Sequence, residues 1–298
     1  GTGALDANTT ASFNTAFGKD AAGANTTGHS NTAIGRYSLL TNSTASYNTA
    51  VGRDALRYNT TGGSNTATGY LALAANTTGT SNTAVGKSAL TDNTTGTYNT
   101  ASGYHSLESN TTGIGNVAVG QAALTQNITG GGNTVLGREA GYYVTGGGNV
   151  VIGSANAGAT AYLPAYHITS QSNLISMGST DVTNAYIKVG WSTTSDARDK
   201  TSFAEVPHGL SFVEQLQPYA FEFRVNRESD ETDGGVRYGF KAQDVLALEG
   251  SNPVIIDDSD PEKLYYKESN MVAVLVKAIQ ELSTQNEALE ARLTALEA

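Results

Sequence analysis

The sequence predicts a mainly β chain: a solenoid of 17-residue coils, then a compact acidic segment that closes in a heptad helix. Three observations carry this expectation. A unit of the form Asn-Thr-Ala-x-Gly recurs from Asn14 to Asn149. All five prolines lie beyond residue 160, and so does the whole net charge of −10. The last 28 residues repeat leucine and isoleucine at heptad spacing.

The repeat is nearly periodic. Its anchors are Asn14, Asn31, Asn48, Asn65, Asn82, Asn99, Asn116, Asn133 and Asn149, with seven intervals of 17 residues and a last one of 16. Four residues after each anchor stands a glycine, from Gly18 to Gly153. A glycine at every repeat implies positive φ or close backbone approach at a corner. An asparagine at every repeat implies amide side chains stacked in a ladder along the axis. The unit is too short for two helices and is rich in Thr, Gly, Asn and Val, so it reads as strand and turn.

Seventeen extended residues trace about 56 Å of chain, enough for one thin coil. The expected inward residues are small: Ala50, Val51, Ala55 and Leu56 in one coil, and Ala84, Val85, Ala89 and Leu90 in another. Each coil therefore buries little alone, and stacking plus side-by-side association of chains is expected to cover the rest. Asn-Thr-Thr at Asn25, Asn59, Asn76, Asn93 and Asn110 has the form of a glycosylation sequon. Recurring inside a solenoid, it reads instead as turn chemistry. The unit is similar to the head repeats of trimeric autotransporter adhesins, whose slightly shorter Asn-x-x-Ala-x-Gly coils form trimeric left-handed β-rolls. That resemblance implies a homotrimeric β-roll.

Composition sets the domain boundary near residue 160. Residues 1–160 hold six acidic and six basic residues, whereas residues 161–298 hold 21 acidic and 11 basic. The acidic balance offers no basic stripe for phosphates, so no nucleic-acid partner is expected. There is no cysteine, hence no disulfide framework or thiolate site. The longest apolar run, residues 271–276, is far too short to span a bilayer, and no membrane insertion is expected. A chain that begins at Gly1 without a methionine reads as a piece of something longer.

Four ordered blocks mark the C-terminal segment. They are Ser195-Asp-Ala-Arg-Asp-Lys200, Leu216-Gln-Pro-Tyr-Ala-Phe-Glu-Phe223, Tyr238-Gly-Phe-Lys-Ala-Gln-Asp-Val245, and Leu264-Tyr-Tyr266 leading into residues 271–282. Together they resemble the intramolecular chaperone of endosialidase-type phage tail proteins, a self-cleaving serine peptidase family. The resemblance implies a small α+β domain over residues 195–298 that ends in a coiled coil, aligns three chains, and then cuts itself off. On this chain it places the nucleophile at Ser195, the general base at Lys200, a supporting role at Gln243, and the cut between Thr194 and Ser195.

The chemistry is sound in itself. A serine hydroxyl needs an adjacent base, and a lysine serves where desolvation favours its neutral form. A five-residue offset puts the two side chains about 140° apart on an α-helix, so the pair needs a turn or contact across chains. Read without the resemblance, Ser195 is a helix N-cap and Gln243 a buried amide that fixes a turn.

In the closing helix, Leu275, Ile279, Leu282, Leu289, Leu293 and Leu296 hold heptad positions with Asn286 at the one polar position. A buried polar residue there sets register at a cost in stability. Residues 161–194 form the expected distal tip, where Tyr162, Tyr166, His167 and Trp191 are receptor-binding candidates because aromatic faces stack on sugar rings. Their plain alternative is a plug for the solenoid's end. The acidic stretches 228–233 and 257–262 lack the ligand spacing of a calcium loop, so no metal or other cofactor is expected.

The function this implies is the distal part of a trimeric fibre, in a virion tail or at a cell surface, that recognises a surface glycan or protein. The alternatives are a bacterial trimeric adhesin, which predicts a membrane-anchoring barrel after the coiled coil, and the non-catalytic part of a glycan-degrading tailspike. A glycan hydrolase needs two carboxylates facing one cleft. The six acids of the repeat sit at scattered, variable positions.

Overall fold

The computed structural model describes residues 1–153, 170–177, 197–224, 230–232, 234–259 and 264–297. The chain divides into two compact units, Gly1–Ala185 and Tyr186–Ala298.

In the first unit each Thr-Ala-x triplet becomes a three-residue strand. These are β1 (Thr15–Phe17), β2 (Thr32–Ile34), β3 (Thr49–Val51), β4 (Thr66–Thr68), β5 (Thr83–Val85), β6 (Thr100–Ser102), β7 (Val117–Val119), β8 (Thr134–Leu136), β9 (Val150–Ile152) and β10 (Ile175–Met177). They pair in chain order as one parallel sheet, with each residue opposite its equivalent one coil away, as in Ala50 opposite Ala67. The fold is the expected parallel β-solenoid.

The core is a thin rod of small side chains. The central strand residues, among them Ala33, Ala50, Ala67, Ala84, Ala101 and Ala118, are fully buried. One leucine per coil, Leu39, Leu56, Leu73, Leu90, Leu107 or Leu124, fills the remaining space and is fully buried as well. Each such leucine contributes about 2 kcal/mol of transfer free energy. Val51 and Val85 correct the expected inward set. They follow the inward alanine, and successive strand residues face opposite ways, so Val51 is half-buried and Val85 is 41% exposed.

The repeated glycine answers to both constraints that the sequence suggested. Gly35 has φ +129°, which L side chains rarely adopt, and a Cβ there would stand 2.5 Å from the carbonyl oxygen of Gly52 in the next coil. Further left-handed positions recur within each coil, as at Tyr47, Asp54 and Leu56 with φ of 63°, 61° and 50°. Left-handed backbone costs a side-chain-bearing residue about 1–2 kcal/mol. The buried leucine thus occupies a strained position that its own packing sustains.

Two asparagine ladders hold the coils together. In the first, each anchor's Oδ1 accepts the backbone N–H of the next anchor, as Asn48 accepts from Asn65 at 3.0 Å. Its Nδ2 donates across the coil, as from Asn48 to the Gly62 carbonyl at 3.0 Å. The second ladder runs through the sequon-like positions, which are fully buried at Asn25, Asn42, Asn59, Asn76, Asn93, Asn110 and Asn127. There amide bonds amide directly: Asn76 Nδ2 donates to Asn59 Oδ1 at 2.8 Å and to the Gly79 carbonyl at 3.0 Å. Gly79 also accepts from Asn65 Nδ2 at 2.9 Å, so one carbonyl ties the two ladders together. The sequon form is therefore structural, since a buried asparagine offers no nitrogen to a glycan.

The sheet continues past residue 160, into the stretch expected to form the tip. Ile175–Met177 pairs with Val150–Ile152, and the Leu174 N–H donates to Asn149 Oδ1 at 3.0 Å. Leu174 thus takes the anchor position after a step of 25 residues, and it has no amide to pass the ladder on. Residues 154–169, with Tyr162, Tyr166 and His167, and residues 178–196, with Trp191, lie outside the described residues.

Replacing Asn76 by alanine leaves Asn59 Oδ1 without its donor and takes one of two acceptors from Asn93 Nδ2, which keeps the Gly96 carbonyl. A buried unsatisfied polar group costs about 1–3 kcal/mol, so the loss expected for Asn76→Ala is roughly 2–4 kcal/mol. Thr78→Ala, at an exposed position, should stay within about 0.5 kcal/mol. Denaturant midpoints of the two variants beside the parent check this, and equal shifts would refute a ladder-based rod.

Candidate functional site

The described candidate residues, Lys200 and Gln243, lie in the second unit, and no hydrogen bond joins them. A single 3₁₀ turn, Ala197–Asp199, follows the expected nucleophile, and the Lys200 N–H closes it on the Ala197 carbonyl at 3.2 Å. This supplies a turn in the segment where the Ser195–Lys200 offset demands one. Lys200 is exposed on the single chain. Thr194 and Ser195 lie outside the described residues.

The second and third sequence blocks meet in space. Strand β11 (Tyr219–Phe221) pairs antiparallel with β12 (Arg237–Gly239), setting Tyr219 opposite Gly239 and Phe221 opposite Arg237. Gly239 has a packing reason: a Cβ there would sit 3.1 Å from the Phe221 ring. The Lys241 ammonium lies 4.4 Å from the centre of the Tyr219 ring. Helix α2 (Ala242–Glu249) follows at once, and Gln243 stands exposed in its first turn. It is therefore not the buried turn-fixing amide of the plain alternative.

Helix α1 (Leu210–Val213) and the long helix α3 (Glu268–Glu297) complete the unit. Phe212, Val245, Ile255, Ile256, Met271 and Val274 form its small buried cluster. The spacing of Met271, Val274 and Ala278 puts one stripe of α3 against that cluster. Hairpin partners β13 (Ile256–Asp257) and β14 (Tyr265–Tyr266) join the fourth block to the same cluster. Asp257 is held below the usual carboxylate range by hydrogen bonds from Ser259 and by Lys267, whose ammonium lies 3.1 Å away. Burial pushes the Tyr266 hydroxyl up, with Glu268 adding to the shift.

Two carboxylates that the motifs did not single out position these parts. Glu281 of α3 reaches the start of α1, where its Oε2 accepts the Leu210 N–H at 2.7 Å. Helix α1 starts at Gly209 with no side-chain cap of its own, so a residue 71 positions away satisfies an orphan donor. Glu249, buried at the end of α2, accepts the N–H groups of Val254, Ile255 and Ile256 at 2.8, 2.7 and 2.9 Å. A sequence signal for Glu249 did exist: an acid in the last turn opposes the helix dipole and needs donors nearby. Glu281 gives no such signal.

Among the described residues, no group of three or more His, Asp or Glu is placed to hold a metal ion, and no helix is long and apolar enough to cross a membrane. The family model described as "Chaperone of endosialidase" matches residues 195–251. The match opens at Ser195 and takes in the first three of the four sequence blocks. No curated protein and no solved structure matches the chain.

Removing the Glu249 carboxylate strands three amides at once. Glu249→Ala is expected to cost about 3 kcal/mol or more. Glu249→Gln should cost less, because one carbonyl oxygen remains to accept. Hydrogen exchange should show early loss of protection at residues 254–256 in both variants. Unchanged protection there would remove Glu249 from its positioning role.

Proposed function

We propose that this chain is the distal part of a homotrimeric fibre whose C-terminal segment drives trimerisation and folding and then cuts itself off between Thr194 and Ser195. In this proposal residues 1–160 form the fibre shaft, residues 161–194 the distal tip and junction, and residues 195–298 the intramolecular chaperone with its coiled coil over 271–298. The tip meets a cell-surface glycan or protein through Tyr162, Tyr166, His167 and Trp191. The setting is a virion tail fibre or a cell-surface fibre.

One observation carries the assembly. Helix α3 spends one stripe on its own unit and leaves a second, complete heptad stripe uncovered. Val272, Leu275, Ile279, Leu282, Leu289, Leu293 and Leu296 are between 42% and 83% exposed. A 30-residue helix is about 45 Å long, and leucines left bare at heptad spacing along it suit partner helices. The chaperone match and the stacked solenoid support three chains in parallel.

The cut in this reading is serine–lysine chemistry. Ser195 Oγ adds to the Thr194 carbonyl while Lys200 Nζ accepts its proton. The Thr194–Ser195 C–N bond breaks, and the proton passes to the departing nitrogen, which becomes the Ser195 α-amine. Water then hydrolyses the ester left between the Thr194 carbonyl and Ser195 Oγ. A lysine acts as a base where water is excluded from it, and Lys200 is exposed on the single chain. Assembly has to supply the cover, which makes cleavage wait for the trimer.

Uncleaved protein should scatter light as three times the 30.8 kDa chain, and mature protein should show fragments of 194 and 104 residues on a denaturing gel. Ser195→Ala, Lys200→Ala and Lys200→Arg should each trimerise yet remain full length, because arginine cannot give up its proton. Ser195→Cys should keep slow cleavage, since a thiol needs less help from a base. A new N-terminus anywhere but Ser195 in the mass spectrum would overturn the assignment.

A further inference from the structure

The turn side of the coil, between a ladder asparagine and the next anchor, keeps two residue choices that its packing does not explain. From residues 9–13 to residues 128–132 these segments contain no Asp, Glu, Lys or Arg.

The first choice is threonine. The residue directly after the ladder asparagine has a structural task, since its hydroxyl bonds the next coil. Thr60 Oγ1 donates to the Thr77 carbonyl at 3.0 Å, and Thr77 Oγ1 to Thr94 at 3.0 Å. Yet this position varies, to Ser43 and Ile128. The residue after it is exposed in every coil from Thr10 to Thr129, and among the described residues no hydrogen bond takes up its hydroxyl. It is nevertheless threonine eight times in eight.

The second choice concerns the residue before each anchor, which is left-handed at all nine anchors. Most coils put serine or glycine there, as at Ser30, Ser64, Gly115 and Gly132. Three put an aromatic ring there instead: Phe13, Tyr47 and Tyr98, with φ of 60°, 63° and 58°. A bulky residue in this region is an outlier and costs about 1–2 kcal/mol. Burial sustains the left-handed leucines of the core, but these rings are 88%, 66% and 66% exposed. Strain kept with no packing to offset it implies a task outside the fold.

We propose that this side is a track for a neutral polysaccharide lying along the shaft. Phe13, Tyr47 and Tyr98 are its stacking platforms, and the threonine column supplies its hydroxyl partners. Sugar rings present C–H faces that stack on aromatic rings, and hydroxyls that donate and accept as those of threonine do. Coils about 4.8 Å apart repeat at close to the length of one sugar in an extended chain, so each sugar meets one threonine. The platforms stand two and then three coils apart, about 10 and 14 Å. Nucleic acid and charged glycans would need cations that this side lacks. A peptide strand would need free backbone groups, but the turn's N–H groups bond neighbouring coils, as from Tyr47 to the His29 carbonyl at 3.0 Å. The inference goes beyond the reading above, which places recognition at residues 161–194, and it needs no cut.

The test uses the full-length chain with Ser195→Ala on native gels that hold a neutral glucan, mannan or galactan. Hyaluronan and heparin gels are the charged counterparts. At least one neutral gel should retard the parent, and to the same extent in high salt. Tyr47→Ser combined with Tyr98→Ser should weaken that binding about tenfold, whereas Tyr58→Ser on the charged side should keep it. Serine already serves at this position at Ser30, Ser64 and Ser81. The double variant should therefore keep the parent's particle mass and melt no lower. Retardation by charged gels alone, by no gel, or undiminished in the double variant would overturn the track. So would a loss caused by Trp191→Ala while the double variant binds like its parent, which would put the site at the tip. A lower melting temperature with a smaller particle mass would make the rings an interface between copies and overturn the track as well.

Discussion

The buried asparagine amide is the interaction on which the solenoid depends. Each anchor satisfies the N–H of the next anchor with its Oδ1 and a carbonyl across its own coil with its Nδ2. A rod this thin cannot rely on apolar area, because a coil such as that of Leu56 or Leu107 buries only the leucine and one or two alanines completely. What it can do is pair nearly all of its buried amides, with Asn127 Oδ1 at the last rung of the second ladder an exception. A made hydrogen bond contributes only about 1 kcal/mol net, but an unmade buried one costs about 1–3 kcal/mol. Misplacing one coil therefore breaks bonds in both neighbours, and correctness propagates along the axis. The repeated glycines follow from the same constraint, since coils held this close leave no room for a Cβ at Gly35 or Gly86.

The parts of this fold that repeat were legible in the sequence, and the parts that occur once were not. Periodicity at Asn14 to Asn149 gave coil length, strand position and the need for glycine, because each is imposed nine times over. It misplaced Val51 and Val85, because hydrophobicity says nothing about which face of a three-residue strand a side chain takes. The Asn-Thr-Thr sites do supply turn chemistry, as Asn76 Nδ2 donates to the Gly79 carbonyl three residues on, but periodicity did not reveal that Asn59 and Asn76 also form the more direct amide ladder. Strand β10 escaped because its anchor position is Leu174 and its spacing is 25 residues. In the second unit the ordered blocks implied a small α+β domain but not the β11–β12 pairing that joins two of them. Glu281, which caps a helix 71 residues away, left no local trace, since long-range capping has no sequence period.

The backbone itself explains why such a rod benefits from a folding device. Left-handed residues recur in every coil, including the buried leucines at Leu39, Leu56, Leu73, Leu90, Leu107 and Leu124, all with φ near +50°. Each is disfavoured in isolation, and what offsets it, burial plus the ladder, arrives only with the neighbouring coil. The first coil to form thus meets the strain and the chain entropy with no ladder above or below it. Propagation is then favourable, as in other stacked repeats. Under the proposed function, a segment that gathers three chains lowers the cost of that first step.

The same asymmetry makes a later cut tolerable. Once the ladders are closed, opening the rod means breaking a coil whose amides, leucine and strand all engage both neighbours, so unfolding is slow whatever started the assembly. The second unit is held differently, by one small cluster and by single-residue devices such as Glu249 and Glu281. Stability resides in the repeats, whereas under the proposed function the capacity to align chains resides in the exposed stripe of α3. Two units divided in this way can be joined for folding and parted afterwards, because the interactions that start the rod are not the ones that keep it closed.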